Sequence, residues 1–259
     1  MRLVPRKTDT TGAVVAASLD APARALGLLP ELLAPLTALG SQPRSVVGWL
    51  RAAGVRAGER VLDLGCGKGA VAVAVANRLA CEVVGVDAFE PFIEEARRLA
   101  ARRRVARRCD FRCERLERWQ RAAESFDVVL MLGVWPLRRA ARLAQRLTRA
   151  GGFYLIDDCV RVAQAIRDPR HSAALDAAGA LRALQAGGDR VERWHVLSRA
   201  EARRHERTLY ERIRAQAARM ARGNPRQRPL LRECLRRQRA AIRDLTGPLR
   251  AALWLVRRG

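Results

Sequence analysis

Residues 61–69 read Val-Leu-Asp-Leu-Gly-Cys-Gly-Lys-Gly, with glycine at 65, 67 and 69 and an aspartate two positions before the first. Glycine lets a backbone turn tightly and come close to a ligand that a Cβ would hold away. Such a loop suits a nucleotide-like group. A nucleoside-triphosphate loop requires G-x-x-x-x-G-K followed by Ser or Thr. Here Gly67-Lys68 is followed by Gly69, and the position five before Gly67 is Leu62, so that reading fails. A dinucleotide loop requires G-x-G-x-x-G, and the third glycine here comes one residue early. The Cys66 and Lys68 side chains are expected to serve packing and solvation.

Other chemistry-bearing residues are few. Asp87 ends the run V83-V-G-V-D87, and Asp157-Asp158 form an acidic pair. His171, His195 and His205 are the only histidines, and each reads as structural or exposed. The six cysteines contain no C-x-x-C pair and read as small buried thiols.

The elements that must hold these residues show a regular alternation. Val61–Leu64, Glu82–Val86, Phe126–Leu132 and Phe153–Ile156 read as strands, with a weaker one around Arg108–Arg112. Ala70–Leu79, Pro91–Arg103 and Leu137–Thr148 read as helices between them. Strands that are apolar throughout and alternate with helices point to an α/β fold, a parallel sheet covered on both faces. Its loops at the strand C-termini then share one rim. Residues 1–58 read as helices broken at Pro22, Pro30, Pro35 and Pro43, with short helices over Leu26–Leu36 and Val46–Leu50. Val191–Leu197 alternates like a later strand. Two arginine-rich helices follow, from Ser198 to about Ala221 and from about Leu230 to Leu245, before a final strand in "LRAALWLVRR". The expected organisation is an N-terminal helical cap (1–58), a core (59–197), a basic helical insertion or lid (198–246) and the last core strand (247–259).

The pattern D63-L-G65-C-G67-K-G69 resembles motif I of the class I, Rossmann-like S-adenosylmethionine-dependent methyltransferases. "VVGVD" (Val83–Asp87), "SFDVVLMLGV" (Ser125–Val134) and "LTRAGGFYLIDD" (Leu147–Asp158) resemble later parts of that family in the same order. The resemblance covers roughly residues 55–160. It implies S-adenosylmethionine as cofactor, bound by Asp63, Gly65, Cys66, Gly67 and Gly69. Asp63 then helps satisfy the methionine ammonium, and Asp87 accepts from both ribose hydroxyls. Ala88, Phe89, Leu132 and Gly133 line the adenosine, and Glu114, with Asp110 as rival, contacts the adenine amino group.

Methyl transfer from a sulfonium is an in-line displacement in which the protein aligns the acceptor and, where needed, removes a proton. Asp157 and Asp158 are the candidate catalytic acids near the acceptor, the competing reading being helix caps. Trp135 is the candidate to stack on a planar acceptor, with core packing as its alternative. A magnesium-dependent arrangement would need an acid after the fourth strand, and "LMLGVW" supplies none, so no metal is expected. No N-P-P-Y, D-P-P-Y or paired Pro-Cys and Thr-Cys occurs, which excludes the familiar adenine-, glutamine- and cytosine-methylating patterns.

The chain carries a net charge of +24. The excess is uneven, because residues 161–259 hold 24 basic against 9 acidic residues. Such a field attracts anions. It leaves three readings: a methyltransferase acting on a small, anionic or planar metabolite, an RNA methyltransferase using the basic C-terminal helices, or a non-catalytic cofactor-binding protein. No apolar run approaches the 18 residues of a membrane span. The apolar patch Ala13–Leu19 is short and is ended by Asp20, so a cytoplasmic protein is expected.

Overall fold

The computed structural model of the protein describes residues 10–119, 125–163 and 174–259. Seven strands form one sheet: β1 (Arg60–Leu64), β2 (Glu82–Asp87), β3 (Cys109–Cys113), β4 (Phe126–Leu132), β5 (Thr148–Arg161), β6 (Arg190–Val196) and β7 (Leu249–Arg257). Their order is β3-β2-β1-β4-β5-β7-β6. β1 to β5 pair in parallel, whereas β7 runs antiparallel to both β5 and β6. The order reverses between β1 and β4. At such a switch point the two crossovers leave in opposite directions and open a crevice outside the strand C-termini.

The helices are α1 (Thr10–Ser18), α2 (Leu29–Leu32), α3 (Pro43–Ala52), α4 (Ala70–Leu79), α5 (Glu90–Arg102), α6 (Leu116–Trp119), α7 (Leu137–Leu147), α8 (Ala177–Gln185), α9 (Arg199–Gly223) and α10 (Arg228–Thr246). α7 shows why its sequence folds as it does. Leu137, Ala140, Ala141, Ala144 and Leu147 recur at three- and four-residue spacing and are buried, while Arg138, Arg139, Arg142 and Arg146 face out. α4 is apolar on nearly every side because it lies under other elements, with Val71, Ala72, Val73, Val75, Ala76 and Leu79 all buried. β4 is apolar throughout because both sheet faces are covered. Val128 and Leu130 point into one core with α3, α4 and α5, and Val129 and Met131 into the other with α7 and α8.

The structure departs from the sequence expectations in identifiable places. β5 extends from Thr148 to Arg161, well beyond Phe153–Ile156, because β7 pairs with it from Phe153 to Arg161. A partner strand supplies the hydrogen bonds that "DDCVR" has no apolar pattern to advertise. The helix expected over Leu26–Leu36 is broken: Ala23–Leu28 is a 3-10 turn and only Leu29–Leu32 is α-helical. Pro30 and Pro35 lack the amides a longer helix needs. α8 was not expected. Of the six thiols only Cys81 and Cys234 are buried, and Cys113 is exposed. His171 lies outside the described residues.

Internal contacts divide the chain into two units. One comprises Met1–Leu36, as far as it is described, with Thr208–Ala241; the other comprises Thr37–Arg207 with Ile242–Gly259 and contains the whole sheet. Within the first, Arg24 pairs with Glu233, and the Gln238 side chain donates to the Leu19 carbonyl at 2.8 Å. Among the described residues no single helix is long and apolar enough to cross a membrane.

Candidate cofactor site and acceptor rim

The glycine loop follows β1 directly and turns into α4. Gly65 adopts φ +81°, where an L side chain is strained, and a Cβ placed there would lie 2.1 Å from Val134 Cγ1. Gly69 caps α4 at φ +73°, and a Cβ on it would lie 2.7 Å from the Ala96 Cβ of α5. These two glycines are thus required by the packing as well as by the turn. The loop is pinned to β2, because the Gly65 and Cys66 amides donate to the Val86 carbonyl at 2.7 and 3.0 Å.

Asp87 closes the same arrangement. Its carboxylate accepts from the Gly67 amide at 2.9 Å with one oxygen and from the Phe89 amide at 2.9 Å with the other. Burial raises its pKa against these donors. Ala88 and Phe89 follow it, half-buried, at the start of α5, and Phe89 meets Phe92 edge-on at 4.9 Å. The Cys66 thiol lies under the loop, where burial, with Asp63 and Asp87 adding to it, pushes its pKa far up. Lys68 is not solvated as expected. It is 4 % exposed and pairs with Glu95 at 3.1 Å, which fastens the loop to α5.

Asp63 is the most unusual residue in the molecule. It is 2 % exposed, accepts from the Ala72 amide in the first turn of α4, and has a second carboxylate oxygen with no partner among the described residues. Burial, with repulsion from Asp87 and Asp157, lifts its pKa to about 7. A buried polar atom without a partner costs about 1–3 kcal/mol, more for a charge.

Asp157 stands across the crevice on β5, in register with Leu132 of β4 and Leu253 of β7. The Ser41 hydroxyl donates to it, as does the Gly133 amide, and burial with the adjacent Asp158 moves its pKa up to about 6. Sequence spacing contains no signal for Ser41, because 116 positions separate it from Asp157. Leu39 belongs to the same segment ahead of α3, and its Cδ1 would lie 3.4 Å from a Cβ on Gly67. Residues 39–41 therefore pass over both the glycine loop and the β5 acid.

Asp158 is not a second free acid. One oxygen accepts from the Leu137 amide and the other from the Cys159 amide, each at 2.7 Å, so it caps α7. Trp135 packs half-buried on the apolar core, with the Arg139 guanidinium 3.5 Å above its ring. Leu132 and Gly133 lie at the end of β4 beside the crevice, Gly133 exposed at φ +70°. The two candidate adenine acids take different places along β3. Asp110 is near the start of β3 and pairs with Arg112, whereas Glu114 follows the end of β3, its amide bonded to the Asp87 carbonyl at 2.9 Å. Of the two, only Glu114 lies at the C-terminal end of β3. His195 is exposed on β6, 3.6 Å from Glu201, and half-buried His205 approaches Gln42 at 3.5 Å. Among the described residues no group of three or more His, Cys, Asp or Glu is arranged to hold a metal.

A doubly covered sheet with this strand order, an antiparallel β7 and a glycine loop framed by acids at the ends of β1 and β2 defines a Rossmann-like cofactor-binding fold. Residues 61–152 match the family model described as methyltransferase domain. A ubiquinone biosynthesis O-methyltransferase from Neisseria meningitidis serogroup C (strain 053442) is 45 % identical over 73 residues, 28 % of this chain and 30 % of that protein. The matched stretch thus spans less than a third of the curated relative's length. Two solved structures share the fold over most of both chains. A SAM-dependent methyltransferase from Thiobacillus denitrificans in complex with S-adenosyl-L-homocysteine has a TM-score of 0.72 at 18 % identity, covering 88 % of this chain and 97 % of that one. One from Geobacter sulfurreducens, in the same kind of complex, has a TM-score of 0.70 at 19 % identity, covering 83 % and 89 %. Residues 61–152 are thus similar to a methyltransferase domain, and the fold around them is the one these solved methyltransferases share.

Proposed function

We propose that this protein is an S-adenosylmethionine-dependent methyltransferase acting on a small-molecule acceptor. The observation that carries the reading is the unpartnered Asp63 oxygen, buried at the switch point with Asp87 and Asp157 around it. Three acids at one rim repel a pyrophosphate, which disfavours a dinucleotide. A ligand bearing an ammonium and a sulfonium supplies the missing counter-charge. Asp63 holds the ammonium. The Asp87 carboxylate already takes the Phe89, Gly67 and Ala88 amides, and its remaining lone-pair capacity accepts from the ribose hydroxyls. Glu114 meets the adenine amino group, and Ala88, Phe89, Leu132 and Gly133 line the adenosine.

When bound, this cofactor supplies a methyl group activated by the sulfonium. Asp157 then takes the proton from the attacking atom. A carboxylate with its pKa raised to about 6 is a stronger base than an ordinary one, and Ser41 and Gly133 hold it in place. The Neisseria relative is an O-methyltransferase, and a hydroxyl acceptor suits Asp157 because it has a proton to surrender. Asp157→Asn is expected to lower kcat by about 100-fold while S-adenosylhomocysteine affinity changes by less than about threefold. Methyl transfer to a panel of hydroxylated aromatic compounds measures the first, and titration calorimetry the second. Methyl incorporation into total RNA, falling steeply with salt, would instead overturn the small-molecule reading.

Asp87 is tested separately. Asp87→Ala removes the ribose acceptor and leaves the Gly67 and Phe89 amides unmatched, so affinity for S-adenosylhomocysteine should fall by roughly 30-fold or more, about 2 kcal/mol. Unchanged affinity with an intact fold would remove Asp87 from the site.

A further inference from the structure

A cavity of about 270 Å³ lies beyond the cofactor crevice, between the end of β5 and the helices α7 and α8. Three arginines from three elements line it: Arg138 in the first turn of α7, Arg161 at the end of β5 and Arg182 on α8. Asp176 is the one acid among the described residues of its wall, and its Oδ1 is engaged by the Gly179 amide at 2.6 Å, where it caps α8. The described lining therefore carries a net +2. Among the described residues none of the three guanidiniums has an ion-pair or hydrogen-bond partner, although this chain pairs many other arginines with carboxylates or carbonyls.

Three like charges brought to one hollow repel each other. Each also presents a planar fork of donors that matches the oxygens of a carboxylate or phosphate. We propose that this cavity is an anion-binding site that takes the carboxylate or phosphate group of a small molecule. The apolar remainder of the wall, Leu175, Ala183 and Ala186, accommodates a short organic body beside that group. The volume supports this, since a water molecule occupies about 30 Å³ and the cavity is many times larger. The α8 N-terminus contributes little to the attraction because Asp176 already caps it. Arg161 is four residues beyond Asp157 on β5, a span of about 13 Å at the usual rise. The site is thus distinct from the glycine loop and does not depend on what the loop binds.

The test uses the full chain, with inorganic phosphate and malonate as probes at constant ionic strength, read by titration calorimetry. Wild type should bind at least one probe, and the tighter of the two identifies the preferred group. Arg161→Met and Arg182→Met should each weaken that binding at least tenfold. Arg102→Met, a charge control at the exposed end of α5, should leave it within twofold. S-adenosylhomocysteine titrations on the same samples test the cofactor reading independently, and thermal unfolding confirms that each variant folds. Failure of both probes to bind overturns the proposal. So does equal loss in Arg102→Met, or phosphate and malonate affinities unchanged in Arg161→Met and Arg182→Met.

Discussion

Gly65→Ala is expected to weaken S-adenosylhomocysteine binding by at least 100-fold, about 3 kcal/mol, and to lower the thermal midpoint by roughly 5–10 °C. Two costs add. At φ +81° an alanine forfeits about 1–2 kcal/mol. Its Cβ also falls 2.1 Å from Val134 Cγ1, an overlap that no rotation of the glycine loop can relieve while its amides stay on the Val86 carbonyl. Relief requires Val134 to turn, the loop to lift off β2 or the β4–α7 connection to move, and each disturbs groups assigned to the cofactor. The double variant Gly65→Ala/Val134→Ala separates the costs. Removing the valine methyls clears the overlap but leaves the backbone strain, so affinity should return only in part. Calorimetric titration and a thermal melt on the three proteins check it. Alanine at 65 binding as tightly as glycine would mean the loop is not where the ligand sits.

The second large effect is a pH dependence centred on Asp63. In the folded protein its pKa is about 7, against 3.8 for an ordinary aspartate. Between those values the folded state holds a proton that the unfolded chain has lost, so the ligand-free protein loses stability as pH rises from about 4 to 7. The penalty is at most about 4 kcal/mol above pH 7, at about 1.4 kcal/mol per pKa unit. Asp63→Asn should remove it and make the ligand-free protein more stable at pH 8. A cation bound at Asp63 reverses the preference, because it favours the carboxylate. Affinity for S-adenosylmethionine should therefore rise with pH through about 6 to 7, with protons released on binding. Asp157, at about 6, contributes the lower edge of that window. In Asp63→Asn affinity at pH 8 should drop by about 10- to 100-fold, consistent with loss of a charge-assisted contact, and the pH profile should flatten toward the Asp157 portion alone. Titrations in buffers of different ionisation enthalpy count the protons directly. A profile that is flat in the wild type contradicts the assignment.

A variant that gains stability while losing its ligand indicates which residues local rules could reveal. α4 was legible to the residue, over Ala70–Leu79, because the glycine loop starts it and its apolar run is uninterrupted. β4 was equally legible, since a strand buried on both faces is apolar throughout. The acids at 63 and 87 stood out through the resemblance to class I methyltransferases rather than through any local rule. The rest depends on contacts between residues distant in the chain. The true length of β5 comes from pairing with β7, almost a hundred residues later. Ser41 reaches Asp157 only once α3 has docked. Asp157 and Asp158 are neighbours in sequence, yet one faces the crevice and the other caps α7, because successive strand residues point to opposite faces. Glu114 was the sequence choice over Asp110, and strand register adds only that it follows the end of β3 while Asp110 lies near its start.

The position of β7 has a consequence for how the chain is made. It lies between β5 and β6, both of which precede it in sequence. While a ribosome extends the chain, β6 is synthesised with nothing to pair with, and β5 presents an open edge. Residues 197–257 must follow before the strand joining them exists, a delay of a few seconds at about 5–20 residues per second. During that interval the nascent protein exposes two unpaired strand edges, the template on which chains associate wrongly. Both edges are bordered by arginines, Arg149 and Arg161 on β5 and Arg190 and Arg193 on β6. The same strands also carry acids, Asp157 and Asp158 on β5 and Glu192 on β6, so it is pairing with β7 and not charge that closes these edges.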